Sequence, residues 1–136
     1  MKTLSVPATF MRGGTSKGVF FNLEDLPEKA QEPGPWRDLF LQRVIGSPDP
    51  YQKQIDGMGG ATSSTSKVVI MSPSKEPNHD VDYLFGQVSI DEGFIDWSGN
   101  CGNLSSAVGP FAIANGLIAE SNLDAEFSVV KIWQKN

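Results

Sequence analysis

The stretch "LSSAVGPFAIANG" (residues 104–116) constrains the fold more than any other. Leu104, Ala107, Val108, Phe111, Ala112, Ile113 and Ala114 recur at helical spacing, and no charged residue interrupts them. A helix without a polar face has to be buried on all sides. Its small residues let neighbouring strands come close. Gly116 supplies a stop, and Pro110 removes one backbone hydrogen bond, so a kink or break is expected there. The rest of the pattern is mostly strand. "VPATF" (6–10), "GVFFN" (18–22), "VVIM" (68–71), "VDYLFGQVSI" (81–90) and "EFSVVKIWQ" (126–134) read as strands, with Gly86 a candidate bulge. "WRDLFLQRVI" (36–45) reads as a second helix with Trp36, Leu39, Phe40 and Val44 at helical spacing. Pro35 suits its first turn, and Gly46 and Pro48 end it. The order β-β-α-β-β-α-β predicts an α+β fold: a curved mixed sheet wrapped around a central apolar helix.

A chain of 136 residues is large enough for one domain with a core of its own. Its net charge of −5 speaks against nucleic acid, which is held by lysines and arginines that neutralise phosphates. One cysteine rules out an internal disulfide and fits a reducing compartment. "MKTLSVPATFMRGG" does not read as a secretory signal, and no segment reads as a membrane span. The expected location is the cytoplasm, with no membrane partner.

Three polar loops could carry chemistry. "SGNCGN" (98–103) brings Cys101 to the start of the apolar helix, with Asn103 as the expected N-cap. Helix starts favour anions, and a cysteine there can serve as nucleophile, acid or base. The plainer reading is a small core residue flanked by turn glycines. "GGATSSTSK" (59–67) combines glycines, five hydroxyl residues and Lys67 just before a buried strand. Hydroxyls bind carboxylate or phosphate oxygens, and a lysine stripped of water is a usable base. A flexible linker with a solvated lysine fits the composition equally well. "MRGGTSKG" (11–18) is not a phosphate loop, because Val19 and Phe20 follow its last glycine where Lys and Ser or Thr are needed. It can still be a carboxylate clamp built on Arg12 and Lys17, or a hairpin turn with exposed charges. The single histidine, His79, reads as solvated, and one Cys with one His makes a zinc site improbable.

Taken together, "MRGGTSKGVFF", "SPDPYQKQIDGMGGATSSTSK" and "DYLFGQVSIDEGFIDWSGNCGNLSSAVGPFAIANGL" resemble the PrpF family, from about Phe10 to the C-terminus. The family comprises 2-methylaconitate cis-trans isomerases of the 2-methylcitrate route for propionate, and it is related to 4-oxalomesaconate tautomerases. The resemblance implies a diaminopimelate epimerase-like fold of two pseudo-symmetric halves with the active site between them. Residues 1–136 are then expected to be an N-terminal domain, an incomplete first half. The resemblance further implies proton transfer at an allylic carbon of a tricarboxylate without cofactor or metal. It places the catalytic residues at Lys67 and Cys101. Arg12, Gly13, Gly14, Thr15, Ser16 and Lys17 of the first loop would bind substrate, with Ser64, Thr65 and Ser66 of the second and Asn100, Gly102 and Asn103 of the third. A homo-oligomer or a complementary C-terminal half would complete the cleft. Three other readings compete: a non-catalytic tricarboxylate-binding module, a 4-oxalomesaconate-type tautomerase, and a cysteine hydrolase, which lacks a histidine near Cys101.

Overall fold

The computed structural model describes residues 2–124 and 126–136. Six strands form one mixed sheet: β1 (Thr9–Gly13), β2 (Ser16–Asn22), β3 (Lys67–Pro73), β4 (Val81–Val88), β5 (Ile95–Asp96) and β6 (Ile132–Gln134). Two α-helices accompany it, α1 (Pro35–Ile45) and α2 (Gly102–Ala114). The strand order is β1-β2-β3-β4-β5, with β6 also beside β4. β1 and β2 form an antiparallel hairpin with Gly13 opposite Ser16. β2 and β3 are parallel, joined by the crossover through α1, and β3 and β4 are antiparallel.

The runs "VFF" and "VVIM" are continuously apolar because both faces of the central strands are covered. Phe20, Val69, Met71, Tyr83 and Phe85 point to α2 and pack on Leu104, Ala107, Val108 and Phe111. Val19, Phe21, Val68, Ile70 and Val88 point the other way and pack on Leu41 and Ile45 of α1. Phe20 and Phe111 meet with ring centroids 5.4 Å apart, and each large side chain buried in this way contributes about 2–3 kcal/mol.

Several details depart from the sequence-based expectation. α2 runs unbroken through Pro110, which lies on its exposed side. There the carbonyl of Ser106 loses its helical partner at least cost. That outer side also leaves Ile113 42% exposed, so α2 is buried against the sheet but not all round. α1 starts at Pro35 and ends on Gly46 in the left-handed region, as expected. It turns a different face inward, however: Arg37, Leu41, Gln42 and Ile45 are buried while Trp36 and Leu39 are exposed. The cause is β5, whose neighbour Trp97 receives the Arg37 guanidinium 4.1 Å above its ring and donates to Asp38 Oδ1 at 3.0 Å. The first strand begins at Thr9 instead of residue 6, and Arg12, Gly13, Ser16 and Lys17 extend the hairpin where a longer turn was expected. The last strand is confined to Ile132–Gln134 of the expected 126–134.

Candidate functional site

The three polar loops converge at one end of the sheet. β3 begins there with Lys67, α2 begins there with its N-cap, and the β1–β2 hairpin turns over there. Lys67 Nζ donates to Cys101 Sγ at 3.5 Å. Cys101 is itself the N-cap of α2, in extended backbone, and its Sγ accepts the Leu104 N–H at 3.4 Å. Asn103, expected at that position, lies inside the first turn, and its Nδ2 donates to Thr15 Oγ1 at 3.1 Å. Ser16 Oγ lies 3.8 Å from Cys101 Sγ. Two N–H groups thus donate to one sulfur, and the thiol in turn faces the Ser16 hydroxyl oxygen. Lys67 and Cys101 are only 8% and 6% exposed, and Lys67 Nζ sits 5.0 Å from the centre of the Phe85 ring.

Tyr83 anchors the N-cap from below: its hydroxyl donates to the Cys101 carbonyl at 3.0 Å. Burial, and secondly the neighbouring Cys101, push the Tyr83 phenol above its ordinary value, so it keeps its proton and its donor role.

The glycines of the hairpin have a packing reason. A Cβ on Gly13 would lie 2.9 Å from Leu104 Cα and 3.0 Å from Ser106 Oγ, and would run into the Asn103 carbonyl. Gly14 has φ +52°, and a Cβ there would collide with the Asn103 side chain. Both therefore let the hairpin seat against the first turn of α2. Gly102 differs: nothing lies within 4 Å of its Cβ position, so it fronts open space. The N–H groups of Gly102 and Asn103, the first of the helix, have no partner among the described residues.

The charged and hydroxyl residues divide into two groups. Arg12 and Lys17 are exposed neighbours across the hairpin, with Arg12 Nε donating to the Gly14 carbonyl at 3.1 Å. The Lys17 N–H donates to the Ser64 carbonyl at 2.9 Å and ties the hairpin to the hydroxyl loop. In that loop Thr62 Oγ1 bonds to both Ser64 Oγ and Thr65 Oγ1, at 3.1 and 2.7 Å. Thr15 and Asn100 are exposed at the same rim. Ser66 departs from its expected role in substrate binding. It is fully buried, and its hydroxyl donates to the Val88 carbonyl and accepts from Gln54 Nε2, at 2.7 and 2.8 Å. Gln54 and Tyr83 were not singled out by the sequence. A glutamine in a polar loop and a tyrosine in a strand carry no local signal of the contacts they make.

His79 lies in the turn after β3, at the other end of a strand that rises roughly 20 Å from Lys67. Its ring packs on Trp133, which leaves Cys101 without a histidine and removes the hydrolase reading. Clefts of about 490 and 410 Å³ lie elsewhere, one beside α1 and one at the far ends of β2 and β3. Among the described residues no group of three or more His, Cys, Asp or Glu could hold a metal ion, and no helix is long and apolar enough to cross a membrane.

A curved mixed sheet with these two helices is the diaminopimelate epimerase-like arrangement. A crystal structure of methylitaconate-delta-isomerase superposes on it with a TM-score of 0.85 at 44% identity, covering 96% of this chain and 32% of that one. The PrpF protein family matches residues 3–136, and the chain belongs to that family. A 2-methyl-aconitate isomerase of Cupriavidus necator is 70% identical over 98% of this chain and 34% of its own length. A 4-oxalomesaconate tautomerase of Pseudomonas putida is 50% identical over 96% of this chain and 34% of its own. The chain thus spans about a third of the length of the curated relatives it matches.

Proposed function

We propose that this chain carries the acid–base wall of a cofactor-independent isomerase acting on 2-methylaconitate or a related tricarboxylate, in cytoplasmic propionate breakdown through the 2-methylcitrate cycle. The observation that carries the reading is the buried Lys67–Cys101 pair, 3.5 Å apart, at the start of a helix. In this reading a complementary half, or a second copy, supplies the facing wall.

The substrate carboxylates sit against the free N–H groups of Gly102 and Asn103, with Asn100 beside them, the hydroxyls of Thr15, Ser64 and Thr65, and the cations Arg12 and Lys17. Lys67 Nζ takes the proton from the carbon next to the double bond. The electron pair moves through the allylic system into a carboxylate, and the N–H groups of the helix start stabilise the developing charge. Return of a proton to the far allylic carbon, or after rotation, gives the isomer. Cys101, with its sulfur 3.5 Å from Nζ, holds the Lys67 amine in line. General acid–base catalysis of this kind supplies about 10²- to 10⁴-fold, and positioning supplies much of the remainder.

The test uses a chimera in which this chain replaces the matching third of the Cupriavidus necator relative. It should interconvert 2-methylaconitate isomers, and Lys67→Ala should abolish turnover while a tricarboxylate still binds, more weakly. Near-normal turnover by Lys67→Ala removes Lys67 from the mechanism. Binding without turnover in the unmutated chimera favours the accessory-module reading, and a preference for 4-oxalomesaconate identifies a tautomerase.

A further inference from the structure

Gln54 is a polar side chain only 1% exposed, and the mechanism above does not use it. Its amide joins three segments that are far apart in the chain. Nε2 donates to Ser47 Oγ at 2.9 Å, just after α1, and to Ser66 Oγ at 2.8 Å, just before β3. Oε1 accepts the Ala61 N–H at 2.8 Å, within the hydroxyl loop. The backbone of Gln54 is held as firmly. Its N–H donates to Asp49 Oδ2 at 2.8 Å, and its carbonyl accepts from the Gly57 N–H at 3.2 Å. A Cβ on Gly59 would collide with the Gln54 amide, so the loop closes tightly around it.

The place where this tie ends matters most. Successive side chains of a strand point to opposite faces. The Ser66 hydroxyl faces Gln54 and the Val88 carbonyl, so Lys67, the next residue, faces α2 and Cys101. The Ser66 carbonyl accepts from the Val88 N–H at 2.9 Å and from Gln87 Nε2 at 3.0 Å, and Gln87 is the register partner of Lys67. The start of β3 is therefore clamped from behind by one glutamine amide and from the side by β4. We infer that Gln54 is a positioning residue, whose amide fixes the residue before Lys67 and the hydroxyl loop and so aims the Lys67 amine at Cys101. The kinetic part of this inference rests on the isomerase reading. The thiol-reactivity part does not.

Gln54→Met keeps the volume and removes all three amide hydrogen bonds. The Ser47 and Ser66 hydroxyls keep their own acceptors, Ile90 O and Val88 O, and the Ala61 N–H lies in a partly exposed loop, so the fold is expected to survive. In the chimera, Gln54→Met should lower kcat at least tenfold, because displacement of a catalytic group by about 1 Å can cost about 10²-fold. It should also change the iodoacetamide rate of Cys101 at least threefold, in the same direction as Lys67→Met does. In a Lys67→Met background it should change that rate by less than about 1.5-fold, because its effect passes through Lys67. A kcat within twofold of the unmutated chimera overturns the inference, and so does an undiminished effect on thiol reactivity in the double variant. Gln54→Glu gives a second route if Gln54→Met does not fold. Its carboxylate donates to neither serine, and its protonated form, with one O–H, restores a bond to only one of them, so a partial rescue is expected. Activity relative to the unmutated chimera should recover in part near pH 5 compared with pH 8, and absence of recovery overturns the inference. Normal turnover in Lys67→Met defeats the isomerase mechanism alone, and the thiol measurements still decide the role of Gln54.

Discussion

Replacing Gly13 with alanine adds a single methyl group, yet the structure gives it a large effect. The new Cβ would stand 2.9 Å from Leu104 Cα and 3.0 Å from Ser106 Oγ, besides meeting the Asn103 carbonyl. Carbon atoms in contact prefer about 3.5–4.0 Å, so either the hairpin or the first turn of α2 has to retreat by roughly 1 Å. The obstacle is mostly backbone, which cannot swing aside as a side chain does. Overpacking of this kind costs about 1–3 kcal/mol. Gly13 has no positive φ, so alanine also restrains the unfolded chain and returns about 0.5–1 kcal/mol. The net expectation is a loss of about 0.5–2 kcal/mol, or roughly 2–8 °C in melting temperature for a domain of this size. Gly102→Ala is the control at the same helix end. Nothing lies within 4 Å of its Cβ, and alanine favours the helix by about 0.5–1 kcal/mol. Thermal unfolding followed by circular dichroism should therefore show the two variants shifting in opposite directions. A Gly13→Ala protein that melts at or above the unmutated one refutes the claim that the hairpin is seated against α2.

Gly102→Ala should also weaken tricarboxylate binding while it stabilises the fold, because it fills the open space before the helix start; calorimetric titration of the chimera reads this. Cys101 should react with iodoacetamide in the native fold and be protected by a tricarboxylate, and a thiol that reacts only on unfolding returns Cys101 to a packing role. Tyr83→Phe removes one of two donors to the Cys101 carbonyl, which keeps the Ser105 N–H, and should cost about 0.5–1.5 kcal/mol in urea unfolding. Phe111→Ala, at the centre of the α2 core, should cost about 3–5 kcal/mol in the same assay. The N–H groups of Tyr51, then Lys53 and Gln54, hold the Asp49 carboxyl below the usual carboxylate range. The folded form therefore binds this proton less readily than the unfolded chain does. The contribution of Asp49 to the loop is complete above about pH 4 and is lost as pH falls through the depressed value. The Gln54 amide resonance should stay unchanged from pH 7 to about 5 and shift only in stronger acid.

The elements that could be read from the sequence are those whose signals are local. Pro35 and Gly46 bracket α1, and "VVIM" announces a strand covered on both faces. The residues facing α1 could not be read in the same way, because Trp97, far along the chain, decides that Arg37 turns inward and Trp36 outward. Asn103 has the better intrinsic claim to the N-cap, but α2 starts at Gly102 and leaves the cap to the Cys101 thiol. β5 is two residues long and has no periodicity to detect. At the site, Lys67 and Cys101 were marked by loop composition and by family resemblance. Ser66 looked like another hydroxyl of the same loop, and only the pleat separates its inward side chain from the lysine that follows. Gln54 was invisible for a related reason: its burial exists only once residues 47, 61 and 66 have come together.

The parallel pairing of β2 with β3 also has a consequence in time. Ser16 and Lys67 stand at the starts of these two strands, and the whole segment 23–66 has to loop out before they can pair. Contacts that close so long a loop form slowly. The Cys101 cap offers no shortcut, because thirteen residues with Gly109 and Pro110 among them do not hold a helix without the sheet to pack on. The thiol should therefore meet its lysine in the same step that closes the crossover. Pulsed alkylation during refolding would then record one change in Cys101 reactivity, coincident with the pairing of β2 and β3.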